Sequence, residues 1–238
     1  MRTQKTLGII GGMSWESTQT YYQLINKGVK DELGGLHSAD IIIHSLDFAP
    51  IAALQAKDDW NKLAKLLIDS GLGLKRAGVE GLLIASNTMH KVAEQVQLAV
   101  DLPLIHIADA TANIILNQKL KTVALLGTKF TMNNESAEPH FYQQRLIDAG
   151  LTVLVPESKA QDKIHDIIYN ELCQGQLLSE SRDYYIEVIK ELAQQGAQGV
   201  ILGCTEIGLL IKPEDSPIPV FDTTQIHAEA GVRFLLHT

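Results

Sequence analysis

Short apolar runs recur along this chain, and longer stretches with a helical period of apolar and polar residues separate them. Most of the runs are continuous rather than alternating, which is typical of parallel strands covered by helices on both faces. Strands alternating with helices predict an α/β protein with parallel sheets. The predicted strands cover residues 6–12, 40–46, 81–86, 102–107, 122–128, 151–156, 199–204 and 218–222.

Helical periodicity is clearest in two of the intervening stretches, residues 58–78 and 181–199. In the second stretch one face carries only apolar and aromatic side chains, and Gly196 stands where such a helix would end. The residues that share this face are Tyr185, Val188, Ile189 and Leu192.

The apolar runs also repeat at a nearly constant spacing, with the first and third pairs 116 residues apart and the second pair 118 apart. Three matches in the same order indicate an internal duplication. The pairs are LGIIGG at 7–12 with VALLGT at 123–128, GLLIAS at 81–86 with GVILGC at 199–204, and PLIHI from Pro103 with PVFD from Pro219.

The duplication predicts two similar parallel-sheet α/β domains related by pseudo-twofold symmetry, with an active site in the cleft between them. We expect an N-terminal half over residues 1–103, joined by the C-terminal segment 215–238. The second half is expected over residues 104–214.

A hydroxyl and a thiol occupy equivalent positions in the two halves. Ser86 and Cys204 each end an apolar run, and ligands of open α/β sheets bind beyond the carboxyl ends of the strands. We therefore expect the two residues on opposite sides of the cleft, a common place for a small-molecule site. Two proton carriers on opposite faces of one carbon are what inversion at that carbon requires.

Composition limits the classes of partner and the cellular setting that this chain can have. Apolar residues make up 45% and charged residues 20% of the chain, as in an ordinary soluble globular protein. The net charge of −8 argues against a nucleic-acid partner. No apolar run suits a signal peptide or a membrane span. Cys173 and Cys204 form neither a disulfide framework nor a metal-binding spacing, so we expect a reduced, cytoplasmic setting, no membrane partner and no metal.

Several motifs together resemble the aspartate/glutamate racemase family, in particular its amino acid racemase branch. They are IIGGMSWEST, SNTMH, GTKFTM, and LGCTEI followed by FDTTQIHA, and the resemblance runs from about Leu7 to about Ala228. It implies an amino acid substrate, a homodimer, and chemistry without pyridoxal phosphate or another cofactor. In this family one cysteine from each half serves as acid or base. Cys204 matches the second cysteine.

Ser86 departs from the family pattern, which usually has Cys-Asn-Thr where this chain has Ser-Asn-Thr. A serine hydroxyl is far less acidic than a thiol and is a poor base without a partner. Three explanations stay open: His90 assists the hydroxyl, the activity is one-sided, or serine was introduced in place of cysteine. Relatives with a hydroxyl at this position imply a preference for the L enantiomer. His90 could instead only support the loop.

The resemblance also implies a set of residues that contact the substrate, several of them small and placed at strand–helix turns. Backbone N–H groups at such turns suit carboxylates and oxyanions. Asn87 and Thr88 could equally cap a helix. Glu206 replaces the histidine of glutamate racemases that supply cell-wall synthesis, which favours the other branch. The set is Met13, Ser14, Asn87, Thr88, Thr128, Thr205 and Glu206, with Gln55 from the loop after the second strand.

The sequence thus predicts a cofactor-independent amino acid racemase of the aspartate/glutamate type, with Cys204 as acid/base and Ser86 opposite. One alternative is a related decarboxylase or isomerase that uses Cys204 alone. The other is a catalytically weak amino-acid-binding protein. Cys173 and His106 are interpreted as packing residues, and residues 133–140 as a surface loop that covers the cleft.

Overall fold

All eight predicted strands are present in the computed structural model, which describes residues 4–132 and 141–237. The surface loop predicted at 133–140 lies outside these described residues. The strands are β1 (Leu7–Gly11), β2 (Ile41–Ser45), β3 (Gly81–Ile84), β4 (Leu104–Ile105), β5 (Thr122–Gly127), β6 (Thr152–Leu154), β7 (Val200–Gly203) and β8 (Val220–Asp222).

The strands form two four-stranded parallel sheets with the same topology. The first has the order β2-β1-β3-β4 and the second the order β6-β5-β7-β8. Their registers match as well, because Ile10 pairs with Ile84 in the first sheet and Leu126 pairs with Leu202 in the second. The prediction of two parallel-sheet α/β units is confirmed.

Helices connect the strands, and both stretches with clear helical periodicity are helical. The face predicted for 181–199 is buried, and Gly196 has a φ of 105° directly after the last turn. The helices are α1 (Trp15–Leu33), α2 (Phe48–Ala56), α3 (Trp60–Arg76), α4 (Ala93–Val100), α5 (Ile107–Asn117), α6 (Lys129–Met132), α7 (Phe141–Asp148), α8 (Ser158–Asn170), α9 (Ser179–Gln194), α10 (Ile207–Leu210) and α11 (Thr223–Leu236), with 3₁₀ turns at Thr88–Val92, Leu172–Gln174 and Pro213–Asp215.

The central strand β1 is buried along its whole length because helices cover both faces of its sheet. Ile10 belongs to a core that also includes side chains of α3 and α4. Ile9 points to the other face, where it joins Tyr21 of α1 and Val232 of α11. This two-sided burial explains why the strand sequence is continuously apolar rather than alternating.

The chain divides into two compact units whose boundaries differ from the predicted ones. Unit 1 comprises Met1–His106 and His227–Thr238, and unit 2 comprises Ile107–Ile226. The segment that joins the first unit therefore begins at His227 rather than at residue 215. The reason is β8, which pairs with β7 and so belongs to the second sheet.

Within unit 1, a buried histidine fastens the C-terminal segment to the rest of the unit. Nε2 of His227 donates to the carbonyl oxygen of Ile105 at 2.7 Å, and its Nδ1 lies 2.8 Å from the hydroxyl of Tyr21. With the proton on Nε2, the neutral ring accepts from Tyr21 through Nδ1. Burial, followed by the nearby charge of His90, lowers the pKa of His227 well below its usual value.

Gly12 follows β1 in a conformation that leaves no room for a side chain. Its φ is 88°, and a Cβ atom there would lie 2.0 Å from the carbonyl oxygen of Leu46. The backbone of Leu46 is fixed in turn, because its N–H donates to the carbonyl oxygen of Gly11 at 2.9 Å. A side chain at Gly12 would therefore push two strand ends apart.

We predict that Gly12→Ala lowers the free energy of unfolding by at least about 2 kcal/mol more than Gly78→Ala does. Gly78 is the matched control because its φ is 96° and a Cβ atom there would meet nothing within 4 Å. The control should lose only the cost of the left-handed backbone, about 1–2 kcal/mol. Urea unfolding of the two variants measures the difference, and equal losses would contradict the close approach to Leu46.

We predict that the stability contributed by His227 declines as the pH falls below about 6.5, the usual histidine pKa in an unfolded chain. The folded protein keeps this ring neutral, so the unfolded chain alone takes up the proton and gains up to about 1.4 kcal/mol per pH unit. Urea unfolding between pH 8 and pH 5 should show wild type losing stability faster than His227→Gln. The exposed His37 supplies the control, His37→Gln, which should follow wild type. Parallel curves for wild type and His227→Gln would contradict the prediction.

Candidate functional site

In unit 1, the predicted site residues of two turns lie at one edge of the first sheet. β1 and β3 are parallel neighbours, and the N–H of Ala85, the residue directly after β3, donates to the carbonyl oxygen of Ile10 near the end of β1 at 2.9 Å. The turns that follow therefore begin side by side. The first contains Met13 and Ser14, and the second contains Ser86, Asn87 and Thr88.

The turn after β1 is held by hydrogen bonds to the first turn of α1. Ser14 is the N-cap, and its Oγ accepts from the N–H of Ser17 at 3.2 Å. The hydroxyl of Thr18 donates to the carbonyl oxygen of Ser14 at 2.9 Å and accepts from the N–H of Gly12 at 2.7 Å. Met13 is buried in the neighbouring core. These contacts fix the backbone of the turn.

The turn after β3 leads into a 3₁₀ helix that begins at Thr88. Ser86, Asn87 and Thr88 are all buried. Oγ of Ser86 accepts from the N–H of Met89 at 3.5 Å, a long hydrogen bond. Asn87 occupies the N-cap position but its side chain makes no capping hydrogen bond, which removes one argument for a purely structural role.

Gln55 lies on helix α2, not in the loop after the second strand where the sequence placed it. The loop is shorter than expected because Asp47 caps α2 directly after β2, with its side chain accepting from the N–H of Ala49. Gln55 is buried, and its Nε2 lies 3.3 Å from the sulfur of Met89. The structure thus brings Gln55 to the turn that carries Ser86.

His90 supports the backbone of the Ser86 turn. Its Nδ1 donates to the carbonyl oxygen of Ser86 at 2.7 Å, so the contact is with the backbone rather than with the hydroxyl. The His90 ring packs against His106 and His227, with ring centroids 4.6 Å and 5.4 Å apart. Of the two roles considered for His90, these contacts favour loop support, and His106 is buried as predicted.

In unit 2, the corresponding turns follow β5 and β7. Gly127 and Gly203 are partners in adjacent strands, so Thr128 and Cys204 leave the same edge of the second sheet. The hydroxyls of Thr128 and Thr131 are 3.2 Å apart, which ties the first of these turns to α6. Cys173 lies in a 3₁₀ helix and packs against the core of this unit.

Cys204 is buried beside a carboxylate. Its thiol donates to Oε2 of Glu206 at 3.0 Å, and the hydroxyl of Thr205 donates to the same oxygen at 2.8 Å. Burial is the main cause that raises the pKa of the Cys204 thiol well above its usual value, and the charge of Glu206 is the next. The resting side chain at neutral pH is therefore the thiol, a proton donor.

Ser86 and Cys204 occupy the same position in two sheets of the same design. Ser86 lies two residues after Ile84, which pairs with Ile10, and Cys204 lies two residues after Leu202, which pairs with Leu126. The turn after β7 therefore has the same position in its sheet as the turn after β3, but it carries a thiol where the other carries a hydroxyl.

Two contacts at these turns were missed from the sequence. The bond between the thiol and Glu206 could have been suspected, because the two residues are separated by one position at a strand end. The cluster of His90, His106 and His227 could not, since its members are far apart in the chain. Over residues 4–132 and 141–237, the structure contains no group of three or more His, Cys, Asp or Glu side chains that could hold a metal ion.

Within the same ranges no helix is both long enough and apolar enough to span a bilayer.

Known proteins resemble this chain in both sequence and structure. The broad specificity amino-acid racemase RacX of Bacillus subtilis is 24% identical over 95% of this chain and 96% of its own. A structure from Yersinia pestis, described as a candidate Asp/Glu racemase, is 51% identical with a TM-score of 0.88, covering 97% of this chain and 98% of that one. An aspartate racemase homologue from Pyrococcus horikoshii is 36% identical with a TM-score of 0.79, covering 95% and 96%.

The family model described as Asp/Glu/Hydantoin racemase matches residues 10–231, a range that includes all the turns described above. This chain belongs to the Asp/Glu/Hydantoin racemase family.

Proposed function

We propose that this protein is a cofactor-independent amino acid racemase of the aspartate/glutamate type, in which Cys204 carries the α-proton and Ser86 serves the opposite face of the same carbon. The observation that carries the proposal is the buried Cys204 thiol, which directly follows β7 and donates to a carboxylate. A group of this kind can give a proton as the thiol and take one as the thiolate.

The chemistry asked of Cys204 is transfer of the hydrogen on Cα. Abstraction breaks the C–H bond, forms an S–H bond and leaves the electron pair on an enolate-like carboxylate. Because burial and Glu206 raise the pKa of the thiol, the thiolate is scarce at neutral pH but a strong base once formed. Return of a proton from the other face completes inversion.

Ser86 supplies the weaker half of the pair. Its hydroxyl can position or deliver a proton, and the contact of His90 with Ser86 is to the backbone carbonyl oxygen rather than to this hydroxyl. We therefore propose that the two faces of the substrate differ in reactivity, and that proton abstraction by Cys204 is faster than proton abstraction by Ser86. L-aspartate or L-glutamate is the substrate form that we expect to exchange faster.

An acidic amino acid is the favoured substrate because a relative that is 36% identical is an aspartate racemase homologue. The backbone N–H groups of the four turns are suited to its carboxylates. We propose substrate contacts from these turns and from α2, by the residues Met13, Ser14, Gln55, Asn87, Thr88, Thr128, Thr205 and Glu206.

Two other functions are distinguished by one assay, α-proton exchange of L- and D-aspartate and glutamate in deuterated water followed by NMR. A decarboxylase or other carbanion enzyme with Cys204 alone would exchange protons without forming the mirror enantiomer. A binding protein would bind these amino acids without exchange. The homodimer and the cytoplasmic location stay predictions.

We predict that Cys204→Ser lowers the rate of α-proton exchange by at least about 100-fold, because an acid/base group typically contributes that much. Cys173→Ser is the matched control, since it makes the same replacement at the other free cysteine. The control should keep the wild-type exchange rate. Both variants should unfold near the wild-type temperature, and retained exchange in Cys204→Ser would remove Cys204 from the mechanism.

We predict that Ser86→Cys raises net racemisation about tenfold, the effect of lowering the barrier by about 1.4 kcal/mol, because a thiol then stands on each face. Optical rotation and α-deuteration, followed together, measure this change.

The double variant Ser86→Cys with Cys204→Ser moves the single thiol to the other position. If the two residues serve opposite faces of Cα, the double variant should exchange the D enantiomer faster than the L enantiomer. An unchanged preference for the L enantiomer would contradict the two-sided arrangement.

A further inference from the structure

The turn after β7 places two hydrogen-bond donors on one carboxylate oxygen. The Cys204 thiol and the Thr205 hydroxyl both reach Oε2 of Glu206, at 3.0 Å and 2.8 Å. Glu206 is only 3% exposed, so bulk water contributes little to the solvation of this carboxylate. Such a buried carboxylate is costly unless it is hydrogen-bonded, and here the thiol supplies part of what it needs.

The groups around the thiol come from three further elements. Burial is the main cause that raises the pKa of Tyr169 in α8 and of Tyr185 in α9, and the neighbouring Cys204 is the next cause for each. Cys173 of the neighbouring 3₁₀ helix adds to the rise in the pKa of Cys204. Each of these groups is neutral or negative. Reactive cysteines usually lie beside positive charge or a helix N-terminus, which stabilise the thiolate. Cys204 has one stabilising contact of this kind, a hydrogen bond from the backbone N–H of Glu206 that lowers its pKa, but burial and the charge of the Glu206 carboxylate outweigh it.

We infer that Glu206 is a positioning residue for Cys204, which holds that side chain as the thiol and fixes the direction of its proton. The inference rests on the proposed function for its catalytic meaning, but the contact itself is a property of the folded unit. It assigns Glu206 a role toward the protein's own thiol, in addition to the substrate contact expected from the resemblance.

The contact has two opposite effects on proton transfer. It lowers the fraction of thiolate, because two negative charges 3.0 Å apart repel one another. It also makes abstraction more favourable once the thiolate exists, because the S–H bond formed from the α-proton regains the hydrogen bond to Oε2. When the carbanion is reprotonated from this side, that S–H bond breaks and its hydrogen, which can first exchange with solvent, passes to Cα.

Alkylation of the thiol tests the inference without any turnover. Cys173→Ala removes the other cysteine, so iodoacetamide then reports on Cys204 alone, with mass spectrometry to confirm the site. In this background we expect the Cys204 thiol of Glu206→Gln to be alkylated at least about tenfold faster at pH 7. The midpoint of its alkylation should also move to lower pH. Glutamine keeps the size and an acceptor oxygen but removes the charge.

Glu171→Gln provides the matched control, because Glu171 is a partly buried carboxylate of the same unit that bonds to Ser181 instead. Its alkylation profile should equal that of the background. If Glu206→Gln fails to fold, Glu206→Asp takes its place, and the shorter carboxylate should give faster alkylation by withdrawing from the thiol. Equal profiles for the Glu206 and Glu171 variants, or slower alkylation without Glu206, would overturn the inference.

The same variants separate this inference from the proposed function. A shifted alkylation profile in a protein that exchanges no α-proton would support the contact and refute the racemase. Normal α-proton exchange together with an unshifted alkylation profile would support the racemase and refute the role of Glu206. Where both hold, the pH dependence of exchange should move to lower pH in Glu206→Gln, a change that loss of a merely structural residue would not produce.

Discussion

Burial of the central parallel strands on both faces is the constraint on which the rest of the molecule depends. Helices cover β1, β3 and β7, so every residue of these strands is removed from water. Reactive groups cannot be accommodated along such strands without an unpaired polar atom in the core. They are confined to the carboxyl ends, where each strand turns into a helix and backbone N–H groups are available.

That constraint explains how much could be predicted from the sequence. A strand buried on both faces must be continuously apolar, and this pattern marked the inner strands β1, β3, β5 and β7 and the turns that follow them. The four edge strands are only partly buried, and their apolar runs were still long enough to be predicted. The duplication was visible for the same reason, because equivalent strands in the two units need similar side chains. Ser86 and Cys204 were found as a pair only because both units obey the same rule.

What escaped prediction depends on contacts between distant parts of the chain. Gln55 reaches the Ser86 turn by way of α2, whose early start is set by the cap at Asp47. The boundary at His227 follows from the pairing of β8 with β7, which no local pattern specifies. The local pattern of apolar residues predicts which residues are buried. It does not predict which distant segments those residues contact, because such contacts depend on the tertiary structure.

The discontinuous make-up of unit 1 has a consequence for biosynthesis. Its core includes Ala228, Val232 and Leu235, which follow the last residue of unit 2 in the chain. A nascent chain leaves the ribosome from its N-terminus, and domains generally fold as units. Unit 2 therefore has its whole sequence available before unit 1 does. Until α11 emerges, the apolar surface of β1 and β3 in the N-terminal part stays incompletely covered.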